Sequence, residues 1–405
     1  MTEQPEESMA QQLLSIIFGA GNVGRGFLAQ LFTESGYRVV FVDVVEPLLR
    51  AINERGGYTL QLVTDESVAE YEIKGVSAIS SRQAKEVADV VAACDLAATA
   101  VGVGALPKIA PMVAAGIERR RLSETAQPLN IIICENLKDA PDVFASMLRE
   151  YLSVEGQRYL DEQVGLVDAV ISRMVPIMPA EIAKRDPSFI MAEPYKVLPV
   201  NRARFKGGIP PIAGMEPHDN FAAYVDRKLY THNAGHAVIA YLGYLRGYTY
   251  GYEALDDPLL LALVRQALHE SSEALIKKHG LGREEQYEHV EDLLRRFRNK
   301  RLGDTIFRLG RDPLRKLANN DRLVGAALLV LETGGEPDAL AWGIAAALRF
   351  DPNEDESAQK LQAMLKQASV AEVLREVSGL APGSKLSDMV VARHQALVAG
   401  CWPRV

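Results

Sequence analysis

The feature that most constrains the fold of this chain is a glycine-rich turn set between a short apolar run and an amphipathic one. Leu13 to Phe18 reads as a buried strand. It meets Gly19-Ala20-Gly21-Asn22-Val23-Gly24, which fits G-x-G-x-x-G, and Val23 to Ser35 then carries apolar residues at helical spacing. Tyr37 to Val42 is a second β-rich run, and it ends in Asp43. Strand, glycine turn, helix, strand and acid, in that order, predict the start of a parallel sheet that binds a dinucleotide. Gly19 permits the tight turn, Gly21 lets the backbone approach a pyrophosphate, and Gly24 lets the helix pack on the strand. The helix N-terminus then offers its N–H groups to the phosphates.

Asp43 stands where a carboxylate would accept hydrogen bonds from both ribose hydroxyls and repel a 2′-phosphate. The expected cofactor is therefore NAD rather than NADP. Thr99-Ala100-Val101-Gly102 closes another expected strand, so Thr99 and Val101 are expected to line the nicotinamide side of the crevice. The plainer reading of the same residues is a glycine turn followed by an N-capping acid.

Further strands are expected at Leu96 to Val101, Leu129 to Cys134, Val164 to Val175 and Ser188 to Val197, with a small antiparallel excursion at Tyr58 to Ile73. From about residue 217 long helical patterns dominate, broken at Gly247, Gly280-Leu281-Gly282, Gly334-Gly335 and Pro382-Gly383. The expected architecture is α/β. A Rossmann-type dinucleotide-binding domain with an extended sheet covers 13–200, and a mostly α-helical substrate domain covers 201–405. Residues 1–12 are expected to be a disordered tail, without the basic start or apolar core of a signal peptide. The acidic cluster from Asp351 to Glu356 reads as a solvated loop.

Two domains suit 405 residues, and 48% hydrophobic with 24% charged residues is ordinary for a soluble globular protein. A formal net charge of −8 argues against non-specific nucleic-acid binding. No apolar run reaches membrane-spanning length. Cys94, Cys134 and Cys401 form neither a CxxC pair nor a disulfide framework, which suits a cytoplasmic location. Nothing in the sequence indicates a partner protein.

Lys228-Leu229-Tyr230-Thr231-His232-Asn233-Ala234-Gly235-His236 lies within a long amphipathic stretch. On a helix, 228 and 232 share one face, as do 233 and 236, so a Lys, an Asn and a His can converge on one point. A lysine in a dry cleft loses pKa and can act as a general base, while Asn and His orient an alcohol and stabilise an oxyanion. The histidines and cysteines show no zinc spacing to compete for the chemistry. An amine base beside a dinucleotide site reads as alcohol oxidation by hydride transfer. An exposed helix lysine is the plainer alternative.

Several segments resemble the long-chain polyol dehydrogenases. They are Phe18 to Gly26, Cys134-Glu135-Asn136, Lys228-x₄-Asn233-x₂-His236, Phe205-Lys206-Gly207, Gly214-Met215-Glu216 and Gly310 to Leu317. The resemblance spans nearly the whole chain. It implies a zinc-independent reaction in which Lys228 is the general base, Asn136 and Asn233 form the oxyanion hole, and His236 positions the substrate. Where the family commonly has Asp-Arg, this chain has Ser172-Arg173, a departure near the implied substrate.

Arg308, Arg311, Arg315, Lys316 and Arg322 crowd one short region of an acidic protein, and arginine forks suit phosphate. A solvated basic face is the alternative. With the resemblance, Arg315 and Lys316 are the expected phosphate contacts, and Lys138 is a further candidate. Arg311 and Arg315 would share a face on an unbroken helix. The implied reaction interconverts D-mannitol 1-phosphate and D-fructose 6-phosphate. The rivals are an unphosphorylated polyol or a hexuronate as substrate, and a catalytically silent NAD-binding sensor.

Overall fold

The computed structural model describes residues 12–124 and 126–403. The expected tail at 1–12 lies outside them apart from Gln12. The chain forms two compact units, one of residues 1–63 and 67–221 and one of residues 64–66 and 222–405. The first unit thus runs past the expected boundary at 201. The reason is local: Leu198–Asn201 pairs in parallel with Met215–His218, so the chain must complete that pair before leaving the unit.

The strands in chain order are β1 (Leu14–Phe18), β2 (Arg38–Asp43), β3 (Gly57–Val63), β4 (Val68–Lys74), β5 (Val76–Ser80), β6 (Leu96–Thr99), β7 (Leu129–Ile133), β8 (Val164–Asp168), β9 (Ile190–Ala192), β10 (Leu198–Asn201) and β11 (Met215–His218). The main sheet has the order β5-β2-β1-β6-β7-β8, and every neighbouring pair is parallel. That is the doubly wound order, with its reversal point between β1 and β6. Ile17 joins the apolar core on one face of the sheet, while Ile16 and Phe18 join the core on the other. Helices cover both faces, which is why the strand reads as a continuous apolar run rather than an alternating one.

The excursion expected at Tyr58 to Ile73 is the β3–β4 antiparallel hairpin, with β9 added in parallel along β3. The strands expected at Val164 to Val175 and Ser188 to Val197 are shorter and displaced. The first stops at Asp168, and the second shrinks to β9, with β10 starting only after it at Leu198.

The described part of the second unit is helical. Its central element runs through Phe221–Arg227, a π-helical turn at Lys228–Asn233, and Ala234–Leu245. Ala237 to Leu242 are all buried, as expected for a helix surrounded by others. Its neighbours are Pro258–His279, Ile306–Gly310 and Asp338–Ala347. No helix among the described residues is long and apolar enough to cross a membrane.

Candidate active site

The glycine loop sits at the reversal point of the sheet. A Cβ on Gly19, at φ +99°, would lie 2.3 Å from the Ala100 carbonyl oxygen, and one on Gly24 would lie 2.0 Å from the Gly19 oxygen. Neither position tolerates a side chain. A Cβ on Gly21 would meet nothing within 4 Å, so this glycine borders open space. A cradle closed at Gly19 and Gly24 and open at Gly21 fits a pyrophosphate laid against the backbone. Asn22 is exposed beside it and Val23 is partly buried.

Asp43 stands at the end of β2 but is already engaged. Its Oδ2 accepts the Ala20 N–H at 2.8 Å, and its Oδ1 accepts the N–H groups of Val44 at 2.6 Å and Val45 at 3.1 Å. A carboxylate has about four acceptor positions. The expectation that Asp43 serves both ribose hydroxyls therefore narrows to one remaining acceptor. Thr99 is fully buried and Val101 is partly exposed. The turn after β6 is fixed by Glu135, a residue with no role among the expectations above. Glu135 accepts the N–H groups of Val101 at 2.9 Å and Gly102 at 2.8 Å. Asn136 follows it, exposed beyond the end of β7, with Lys138 exposed in the same loop.

In the second unit, the π-helical turn explains the Lys-x₄-Asn spacing. On an α-helix a five-residue step falls about 140° around the axis. Where the backbone bond closes five residues back, the same step ends closer to the starting face than it does on an α-helix. The Ala234 N–H donates to the Leu229 carbonyl in this way, and the Thr231 hydroxyl donates to the Arg227 carbonyl at the start of the wide turn. Lys228 and Asn233 are thereby brought closer in azimuth than an α-helix would bring them. Gly235 lets the helix approach its neighbours closely, since a Cβ there would lie 3.0 Å from the Phe297 ring. His236 packs on that ring at 4.1 Å between centroids and meets His232 edge-on at 4.9 Å.

Burial of the Lys228 ammonium pulls its pKa down to about 8, with Arg322 adding to the effect. His236 is pushed down to about 3 by burial, then by Arg308, Arg322, Arg296 and Lys316. It is a neutral imidazole throughout the physiological range. Lys316 is 4% exposed and is pulled to about 7 by burial, then by Arg322 and Arg315. Arg322 is thus a common neighbour of Lys228, His236 and Lys316.

The two expected phosphate contacts part company. Lys316 is buried in this cationic group and donates to the Arg311 carbonyl. Arg315 keeps 47% of its side chain exposed and is held by Asp312 at 2.8 Å. Arg311 and Arg315 do not share one helix, because the helix Ile306–Gly310 ends before Asp312, which sits at φ +61°. A new short helix then starts at Pro313, whose missing N–H suits a first helical position. The acidic cluster is not simply solvated either. Asp355 is buried and accepts the N–H groups of Asp312 at 2.8 Å and Ala358 at 2.9 Å. Ser172 and Arg173 are buried in the first unit, where Arg173 donates to the Glu193 carbonyl at 2.6 Å and to Gln30 at 2.7 Å.

Comparison with known proteins decides the family. Residues 15–214 match the mannitol dehydrogenase Rossmann domain, and residues 220–398 match the mannitol dehydrogenase C-terminal domain. The chain belongs to the mannitol dehydrogenase family. It is accordingly an NAD-dependent oxidoreductase. A mannitol-1-phosphate 5-dehydrogenase of Brevibacillus brevis (strain 47) is 38% identical over 384 residues, 95% of this chain and 97% of that protein. Among solved structures, a substrate-free D-sorbitol dehydrogenase superposes with a TM-score of 0.79 at 18% identity, over 95% of this chain and 93% of that one. A Pseudomonas fluorescens mannitol 2-dehydrogenase in ternary complex with NAD and D-mannitol gives 0.74 at 16% identity, over 96% and 93%. Both share this fold.

Proposed function

We propose that this mannitol dehydrogenase family member interconverts D-mannitol 1-phosphate and D-fructose 6-phosphate. The observation that carries the reading is the cationic group around a neutral His236, made of buried Lys316 with the partly buried Arg322 and Arg308, which pair with Asp321 and Asp304, next to a lysine of depressed pKa. A phosphate dianion offsets the cost of burying Lys316, and arginine forks match its geometry. The relative in Brevibacillus brevis, named for the phosphorylated substrate, supports the same reading.

NAD, when bound, supplies the hydride acceptor for oxidation. Lys228 Nζ takes the hydroxyl proton of the reacting carbon, and in the reverse direction the ammonium returns it. Asn233, on the same π-helical turn as Lys228, donates to the oxygen as it becomes anionic, and the family resemblance assigns Asn136 the same role. His236 stays neutral and orients the substrate hydroxyls. Lys316 and Arg322 hold the phosphate, while Arg315 stays with Asp312. A hexuronate is the second reading, because the same cations would also grip a carboxylate. Cytoplasmic residence belongs to the proposal, supported by the free thiols of Cys94, Cys134 and Cys401.

NADH oxidation measured with fructose 6-phosphate, fructose, tagaturonate and fructuronate tests the substrate. Fructose 6-phosphate is expected to be the preferred ketose by catalytic efficiency. Equal efficiency with fructose removes the phosphate site, and preference for a uronate replaces the substrate.

A further inference from the structure

Arg25 follows the glycine loop and is only 7% exposed. Among the described residues no carboxylate pairs with its guanidinium. Instead Nε donates to the Ala20 carbonyl at 2.5 Å, and Nη1 reaches the carbonyls of Pro187 at 3.1 Å, Ser188 at 2.5 Å and Phe189 at 3.2 Å. A buried guanidinium without a directly paired carboxylate is costly to maintain, and burial lowers its pKa despite the nearby Asp43 and Asp186. Its own backbone is also held. The Tyr58 hydroxyl donates to the Arg25 carbonyl at 2.7 Å, within a π-helical turn at Gly24–Leu28 that closes from the Ala29 N–H to the Gly24 carbonyl.

Both backbone groups of Ala20 are therefore consumed by side chains, the N–H by Asp43 and the carbonyl by Arg25. A trans peptide points its C=O and N–H in opposite directions. Fixing the Ala20 N–H on Asp43 turns the Gly19 carbonyl the other way, and the Gly19 oxygen does lie against Gly24. Fixing the Ala20 carbonyl on Arg25 likewise turns the Gly21 N–H away from the interior. Gly21 is the glycine that borders open space.

We infer that Arg25 is a positioning residue for the cofactor. It locks the Ala20–Gly21 peptide so that the Gly21 N–H is presented to the pyrophosphate before NAD arrives. This rests on the reading of the glycine loop as the cofactor site. Arg25 reaches the ligand only through the loop. Its loss should weaken dinucleotide binding by removing preorganisation, with little effect on the chemical step.

The test is direct titration of the intact enzyme with NADH, followed by protein fluorescence quenching or calorimetry, alongside steady-state kinetics. Arg25→Gln should raise the NADH Kd and KM about tenfold, the scale of losing hydrogen bonds from a charged donor. The ketose KM and kcat at saturating NADH should stay within about twofold. Arg25→Lys should recover part of the affinity, because one ammonium can still reach the Ala20 carbonyl. Tyr58→Phe, which keeps the guanidinium, should raise the Kd in the same direction by a smaller factor, and it provides the test if Arg25→Gln does not fold. Gly21→Val checks the underlying reading separately and should abolish NADH binding. An unchanged NADH Kd in folded Arg25→Gln, with binding lost in Gly21→Val, overturns the role of Arg25 alone. Normal binding by Gly21→Val overturns the loop as the site. Equal losses in kcat and in both KM values would make Arg25 a general structural residue and also overturn the inference.

Discussion

Tyr241 donates its hydroxyl hydrogen to the Gly310 carbonyl at 2.8 Å, inside the helical unit and away from solvent. The bond joins the helix that follows Lys228 to the turn that leads to Lys316. Gly310 is held on its other side by Phe350, where a Cβ would come within 2.8 Å of the ring. Tyr241→Phe keeps the ring packing on Phe350 and removes only this tie. The expected result is a several-fold rise in KM for fructose 6-phosphate and a stability loss of about 1 kcal/mol, with NADH affinity unchanged. Denaturant unfolding and ketose kinetics check it, and an altered NADH Kd would contradict the local role.

The pKa of Lys316 gives the proposed anion site a pH signature. Burial lowers it from 10.5 to about 7, so the free enzyme loses this positive charge as pH rises through about 7. The KM for fructose 6-phosphate should rise across that range, and kcat/KM should fall with it. Lys316→Met should flatten the dependence and raise KM at pH 6. Arg315→Ala should change KM little, because that side chain is half-exposed and pairs with Asp312. Profiles for the three proteins on one ketose series decide between the two neighbours. A KM effect confined to Arg315→Ala would reverse the assignment.

Asp43 holds the Ala20 N–H and, in the proposed reading, also serves the ribose, so its removal should show both. Asp43→Ala is expected to narrow the preference for NAD(H) over NADP(H), because the repelling carboxylate is gone. It should also raise the NADH Kd, because Ala20 loses its acceptor at 2.8 Å. The variant should therefore be a poor NADH binder rather than an efficient NADPH enzyme. Titration with both reduced cofactors measures this, and an NADH affinity equal to that of the unmodified protein would leave Asp43 with no part in holding the loop.

The sheet was legible because its signals are local. Gly19, Gly21 and Gly24 answer to steric demands that the motif itself encodes, and the apolar runs of β1 and β2 report burial on both faces. What stayed hidden depended on contacts distant in sequence or on departures from α-helical geometry. The five-residue spacing of Lys228 and Asn233 is awkward on an α-helix and less so on the π turn. Nothing in local composition separates Arg315 from Lys316. The break at Asp312 turns one towards solvent and the other inward, and Asp355, 43 residues away, holds the Asp312 N–H. The role proposed for Arg25 leaves no trace in the sequence, because its partners at Pro187, Ser188 and Phe189 are backbone carbonyls, which no side-chain pattern reports.

The central claim is that Lys228 exchanges the substrate proton. Its pKa is drawn down from 10.5 to about 8, so the neutral amine gains population as pH rises through about 8 and the ammonium loses it. Polyol oxidation should therefore accelerate from pH 7 to 9, while ketose reduction should slow over the same interval.

The most direct measurement is single-turnover hydride transfer in Lys228→Ala, followed at the nicotinamide absorbance with cofactor affinity determined on the same preparation. The account predicts that NADH binds normally and that transfer falls by about 10²–10⁴, with the pH step near 8 lost and partial rescue by added small amines. Near-normal transfer with the pH step intact would show that Lys228 is not the base.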